Sequence, residues 1–409
     1  MIDRLLKYLK DRRERILNGE INCIPFTFER FSNELPGIEK GKYYLVSGNT
    51  KAGKTQIANF MFIFTPLLYA YNNPDKVRVK IFYFPLEETP ETITLRFMSY
   101  LLFTLSNIRI APIDLKSTNS NKILSEEIIN ILESDKFQDI LKFYEDNVIF
   151  LSERNPTGIW KTMLKYAEST GTVYKKKIKI ANKETGVVEE KEIFDYYEPK
   201  DKNEYVICLT DHVSLLETES GYDLRQTIIK FSKYMMVIRN KYNYIPVIVQ
   251  QQSTETSNLE AFKNNKIRPT LAGLSDCKYT GKDCTVMLGI TNPYTFELPQ
   301  YLGYDITRLK GNARFLEIVL NREGKSNGIV GLFFDGDTNY FKELPFPDNK
   351  KELEKVSQYL EQVIMKKASP VFMILTREFS KEKRKVVRSL YKWFNKAIFA
   401  GSFINKKIK

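Results

Sequence analysis

A chain of 409 residues, 43% of them apolar, is long enough for one large or two ordinary domains with a real core. Its formal net charge of +13 points to a polyanionic partner, and charge alone does not separate nucleic acid from an anionic membrane surface. Cys23, Cys208, Cys277 and Cys284 form no C-x-x-C pair and have no histidine nearby, which excludes a zinc or disulfide framework and predicts a reduced, cytoplasmic protein.

Ile2, Leu5, Leu6, Leu9 and Ile16 recur at helical spacing among charged residues, so 1–19 reads as an amphipathic helix stopped at Asn18-Gly19. It lacks the apolar core of a signal peptide. Its stripe packs either on its own domain or on a neighbouring subunit. Pro25, Pro36 and further glycines then mark a loop-rich lead-in up to Lys42.

Residues 43–46, Tyr-Tyr-Leu-Val, predict a buried parallel strand, and 57–71 a core helix. Between them, Gly48-Asn49-Thr50-Lys51-Ala52-Gly53-Lys54-Thr55 fits the phosphate-loop pattern G-x-x-x-x-G-K-[ST] at every fixed position. Backbone N–H groups at a helix N-terminus favour an anion there, and the glycines let the chain wrap around it. Lys54 is placed for the β- and γ-phosphates and the Thr55 hydroxyl for Mg²⁺. The most apolar window, 60–71, is too short to span a bilayer and contains Pro66, so no membrane span is expected.

A turn at 72–75 precedes a strand at 77–84, which ends in Leu86-Glu87-Glu88-Thr89-Pro90-Glu91 and leads into a helix through Ile93, Leu95, Arg96 and Met98. A carboxylate at the C-terminal edge of a parallel strand lies beside the ligand crevice, so Glu87 is either the group that polarises an attacking water or a solvated acid at a helix start. Residues 105–145 read as mixed polar helix and loop, 147–151 as a strand and 160–167 as a helix. Lysine-rich 172–180, a turn at 182–186 and acidic 187–197 predict an inserted β-hairpin. Its charges either cross-pair in solvent or contact nucleic acid.

The apolar run 205–211 ends in Asp211, where a carboxylate suits the Mg²⁺ of a phosphate-loop ATPase. His212, the only histidine, is read as a local hydrogen-bonding residue. Residues 224–242 predict a basic helix, and 245–249 a strand ending in Gln250-Gln251-Gln252-Ser253, where a neutral amide is suited to report the γ-phosphate state. Lys263, Lys266 and Arg268, in the weakly periodic stretch 254–276, are candidates for nucleic-acid phosphates. Strands follow at 285–290, 315–320 and 329–334, with Arg322 in the turn 321–325 as a surface arginine or an arginine finger for an adjacent subunit. From 346 a charged linker leads to a helical tail; 381–409 carries ten Lys/Arg against Glu382 alone, around an apolar stripe. It suits nucleic acid, a partner protein or a membrane surface, in that order.

Several blocks in order resemble the ATPase domain of DnaB-type replicative helicases, RecA-like hexameric ATPases, over residues 20–345. Leu86-Glu87-Glu88-Thr89 with Glu91, Leu95 and Arg96 is similar to that family's S-L-E-M-S-x-E-Q-L-x-x-R entry, which carries its catalytic glutamate. Thr210-Asp211-His212-Val213-Ser214-Leu215 resembles I-D-Y-L-Q-L, and the run from Pro246 to Gln252 resembles the strand that ends in the sensing glutamine, implying Gln252. Leu320-Asn321-Arg322-Glu323-Gly324 resembles K-x-R-N-G, whose arginine serves the neighbour's nucleotide. Leu320 stands where the family has lysine, with Lys325 as a candidate substitute, and the family's N-terminal helical domain has no counterpart beyond the first helix.

The resemblance implies an α/β fold: a RecA-like core with a mostly parallel sheet, an N-terminal helix, the hairpin 172–197 and a basic C-terminal extension 346–409. It implies ATP and Mg²⁺ as cofactors, single-stranded DNA as partner, a homo-oligomeric ring of hexamer type, and a role in DNA replication in bacterial or virus-infected cytoplasm, with a replication partner for the tail. The alternatives are a RecA-like recombinase or DNA-packaging ATPase, and a non-catalytic nucleic-acid-binding protein that uses nucleotide for assembly.

Overall fold

A computed structural model describes residues 2–181, 188–253 and 267–362. The chain divides into two compact units, Met1–Phe346 and Pro347–Lys409; the described part of the second is a helix at 350–362. The basic stretch 381–409 lies outside the described residues.

The first unit opens with a helix, Ile2–Leu17. Its polar side holds it to the body: Arg12 pairs with Glu39 at 2.7 Å, and Arg15 donates to the Ile21 carbonyl and the Asn203 side chain. Ile2, Leu5, Leu6, Leu9 and Ile16 are all at least half exposed, so the apolar stripe does not pack on its own domain. A short antiparallel pair follows, β1 (Ile24–Pro25) with β2 (Gly37–Ile38).

The strands of the main sheet come next, starting with β3 (Tyr44–Gly48), β4 (Arg78–Pro85) and β5 (Val148–Phe150). The inserted hairpin is β6 (Gly171–Ala181) with β7 (Val188–Pro199). After it come β8 (Glu204–Asp211), β9 (Ile245–Gln251) and β10 (Val286–Thr291). A small pair, β11 (Gln300–Tyr301) and β12 (Tyr304–Asp305), leads to β13 (Ala313–Asn321), β14 (Ile329–Asp335) and β15 (Tyr340–Glu343).

The nine-stranded sheet has the order β15-β14-β13-β10-β3-β9-β8-β4-β5. The six strands from β10 to β5 run parallel, and β13, β14 and β15 extend them antiparallel. Successive side chains of a strand point to opposite faces, and here both faces are buried. Tyr44 and Val46 enter one apolar layer with Phe60, Phe62, Phe64 and Tyr100. Tyr43 and Leu45 enter the other, with Phe231, Met235 and Ile238. Each such large side chain taken from water stabilises the fold by roughly 1.5–3 kcal/mol. Chain order places β9 on one flank of β3 and β10 on the other, so the reversal of winding, where open α/β sheets form a ligand crevice, falls at the end of β3.

The helix after β3 begins at Lys54 and runs to Asn72, with a π-helical turn at Phe60–Phe64. Pro66 causes the opening: it has no N–H to return to the preceding turn, and Thr65 donates through both its backbone N–H and its hydroxyl to the Phe60 carbonyl. The hairpin's charges cross-pair, Lys176 with Asp195 at 3.1 Å and Lys175 near Glu192 at 3.9 Å, and Tyr174 stacks on Tyr196. Among the described residues no helix is long and apolar enough to cross a membrane, and all four cysteines are free.

Candidate active site

Gly48 ends β3 between β9 and β10, and no side chain fits there: a Cβ would lie 2.5 Å from the Ile290 carbonyl oxygen. Gly53 has φ +98°, which glycine adopts without strain, and it turns the chain into the helix that starts at Lys54. The loop between them is tied from several elements. Asn49 donates to the Ile267 carbonyl at 3.2 Å, Asn292 to the Lys51 carbonyl at 3.3 Å, and Gln251 to the Thr50 hydroxyl at 2.5 Å. Arg314 donates to the Ala52 carbonyl at 2.7 Å. The Lys54 ammonium folds over the loop onto the Asn49 carbonyl at 3.2 Å. Burial pulls its pKa below the ordinary value, against the opposing charges of Asp211 and Glu87.

Asp211 ends β8 two strands from the loop and is buried. Its carboxylate is hydrogen-bonded to Thr55, and its Oδ1 is buried with no partner. Burial pushes its pKa up to about 7, the Thr55 bond lowers it, and Glu87 and Glu88 raise it further. A hydroxyl and a buried carboxylate with a free oxygen, side by side, fit a hard divalent cation. Among the described residues no three His, Cys, Asp or Glu side chains form a metal cage, but Mg²⁺ needs only one or two protein groups beside a nucleotide's phosphates.

Glu87 follows the end of β4, and its side chain is 56% exposed. The neighbouring Glu88 is engaged by Arg96 in a two-point ion pair, which leaves Glu87 as the open carboxylate of the two. The turn that carries it is fixed by Leu86, whose N–H donates to the Asp211 carbonyl at 2.7 Å and whose carbonyl accepts from Arg154 at 2.9 Å. His212 places Nε2 3.8 Å from Glu87, beyond hydrogen-bond range, and its Nδ1 is buried without a partner. The local hydrogen-bonding role expected for this histidine is therefore not realised at Nδ1. Burial lowers its pKa, with Glu87 acting in the opposite direction.

Lys54, Thr55, Glu87 and Asp211 thus meet at one edge of the sheet, and the other candidates lie elsewhere. Gln252 is buried behind the loop: its amide donates to Ser47 at 2.8 Å and to the Thr270 carbonyl at 3.2 Å, and accepts from the Thr270 N–H at 3.1 Å. It joins β3 to the segment after residue 266, whereas the amide that touches the loop belongs to Gln251. Strand alternation carries that signal, because in Gln250-Gln251-Gln252 the middle side chain faces opposite to its neighbours. Arg314 also went unnoticed in the sequence, since its partner at Ala52 is 262 residues away.

Arg322 sits at the far edge. Asn321 pairs with Val286, whereas Ile290 pairs with Gly48, a separation of about 13 Å along the strand. Its guanidinium donates to the Cys284 carbonyl at 2.9 Å and the Lys282 carbonyl at 2.6 Å. Arg268 is taken up by Glu317 in a two-point ion pair, which neutralises the charge expected for a phosphate contact. Lys263 and Lys266 lie outside the described residues.

A phosphate loop after the central strand of a parallel sheet, with carboxylates at the ends of β4 and β8, defines a RecA-like ATPase core. The fold is similar to that of a solved DnaB-like helicase ATPase domain, with a TM-score of 0.58 at 15% identity over 84% of this chain and 99% of that one. It is likewise similar to a DnaB-like replicative helicase solved for its interactions with primase, with a TM-score of 0.55 at 14% identity over 84% of this chain and 66% of that one. At these identities the likeness is one of fold. No protein-family model and no curated protein matches the chain.

Proposed function

We propose that this chain is the motor core of a Mg²⁺- and ATP-dependent DNA helicase of the DnaB-like type, which assembles into a ring and translocates on single-stranded DNA during replication in the cytoplasm. The observation that carries the reading is the meeting of Lys54, Thr55, Asp211 and Glu87 beside a glycine-turned loop. The loop's N–H groups and the Lys54 ammonium bind the phosphates. Thr55 and Asp211 would hold Mg²⁺, which spreads the negative charge of the reacting phosphates. Glu87 orients the attacking water and accepts its proton. Gln252, bridging β3 and the segment from Ile267, couples the nucleotide edge to the DNA-contacting loop.

Arg322, on the edge away from its own loop, serves the nucleotide of an adjacent subunit. The exposed stripe on Ile2–Leu17 supports assembly, since an apolar face left uncovered on its own domain suits a neighbouring copy. The test is steady-state ATP hydrolysis by wild type and Glu87→Gln, each with and without single-stranded DNA. The reading expects DNA to stimulate hydrolysis by wild type and the stimulation to vanish in the variant. Hydrolysis indifferent to DNA, or absent throughout, sinks the motor.

A further inference from the structure

Arg314 lies at the start of β13, 6% exposed, directly beneath the phosphate loop. Its Nε donates to the Ala52 carbonyl at 2.7 Å, and its Nη1 to the carbonyls of Gly311 and Ala313 at 2.7 and 2.8 Å. Its guanidinium lies over the Phe334 ring, 4.9 Å from the centroid. A Cβ built on Gly53 would approach Nε to 3.5 Å, so the charge sits just behind the turn that opens the helix.

No carboxylate among the described residues pairs with Arg314. The chain does supply acids to other half-buried arginines: Arg30 has Glu343, Arg96 has Glu88, Arg109 has Asp335 and Arg268 has Glu317. Glu317, three residues along the same strand, is committed to Arg268. Burial lowers the Arg314 pKa to about 10, with no acid opposing the shift, which leaves the side chain charged at neutral pH. A buried cation without a counter-ion is costly and usually answers to an anion that arrives later.

We infer that Arg314 is a positioning residue for the nucleotide's phosphates, acting through the loop and not by contact. It pins the Ala52 carbonyl on the side away from the ligand, and it adds a fixed positive charge behind the N–H groups. The charge favours the more anionic ligand, so Arg314 sets the preference for a nucleoside triphosphate over a diphosphate. The inference rests on nucleotide binding at this loop.

The experiment measures ATP and ADP dissociation constants for the full chain and for Arg314→Gln and Arg314→Lys, with a melting curve for each. Gln keeps amide donors without charge, and Lys keeps the charge with a different donor geometry. Arg314→Gln should weaken ATP about tenfold and ADP only about threefold, because the electrostatic part grows with ligand charge. Arg314→Lys should keep the ATP-to-ADP affinity ratio within about twofold of wild type while the absolute affinities fall, which a purely structural role would not produce. An unchanged ratio in the Gln variant overturns the inference; so does a ratio in the Lys variant as low as in the Gln variant. If Arg314→Gln does not fold, the Lys ratio alone decides. Wild type that binds neither nucleotide overturns the reading of the loop itself.

Discussion

The two edges of the sheet differ in how completely the single chain satisfies them. At the phosphate-loop edge, Asp211 Oδ1, His212 Nδ1, Thr210 Oγ1 and Asn292 Oδ1 are buried with no partner. At the far edge the turn after β13 is closed on itself: the Asn321 N–H donates to Ser326 Oγ, the Glu323 N–H to Asn321 Oδ1, and Arg322 to two carbonyls. Lys42 joins Glu39 and Glu323 beside it. An unsatisfied buried polar group costs about 1–3 kcal/mol, so the first edge is held in a state that a charged ligand improves. The second edge is complete, and any trans role for Arg322 requires it to exchange two carbonyls for a phosphate.

The strongest break of that contrast is at Lys54. Lys54→Ala removes the one cation that reaches into the loop, and hydrolysis should fall to background, a loss of at least about 10⁴-fold. Normal turnover in that variant rejects the active-site assignment. Arg322→Ala comes next, with stimulated hydrolysis lower by about a thousandfold and nucleotide affinity unchanged. Mixing the two variants sharpens it: each supplies what the other lacks, so partial recovery in mixed assemblies is expected from a trans contact. Wild-type rates in Arg322→Ala alone exclude the trans role.

Much of the active edge was legible in the sequence because its chemistry is local. The pattern from Gly48 to Thr55 fixes a loop between strand and helix, and apolar runs that end in Glu87 and Asp211 fix carboxylates at strand ends. What was missed depends on distant or face-specific contacts. Arg314 looks like any charged residue opening a strand until Ala52 is above it. Periodicity showed that Ile2–Leu17 has two faces, but not that the polar one would meet the body. The stretch from Thr291 to Ala313 is built of two- to four-residue pieces, and the edge strand β15 of four residues, too short for any period to register.

Asp211 gives a smaller effect with a defined sign. Its folded pKa is about 7, above the ordinary aspartate value near 4, so the folded apo-protein keeps a proton that the unfolded chain releases. Stability therefore falls as pH rises from about 4 to about 7 and levels off above. Asp211→Asn removes that loss: its melting temperature should exceed wild type above pH 7, by an amount worth about 2–4 kcal/mol, and converge with it near pH 4. Adding Mg²⁺ should stabilise wild type more than the variant. Parallel pH profiles for the two proteins would show that the buried carboxylate is not the incomplete group it is taken to be.

The smallest effects separate the adjacent glutamines, which bring the contrast down to one residue step. Gln251 reaches the open edge through one bond to Thr50, and Gln251→Ala should raise the KM for ATP a few-fold, the value of about one hydrogen bond, with melting unchanged. Gln252 belongs to the satisfied interior. Truncating it strands Ser47 and Thr270, so Gln252→Ala should lower stability by about 1–3 kcal/mol and weaken the DNA response while leaving KM for ATP near wild type. Should the two variants exchange these phenotypes, Gln252 is the side chain that meets the phosphate, and the nucleotide-bound loop must differ from the one seen here.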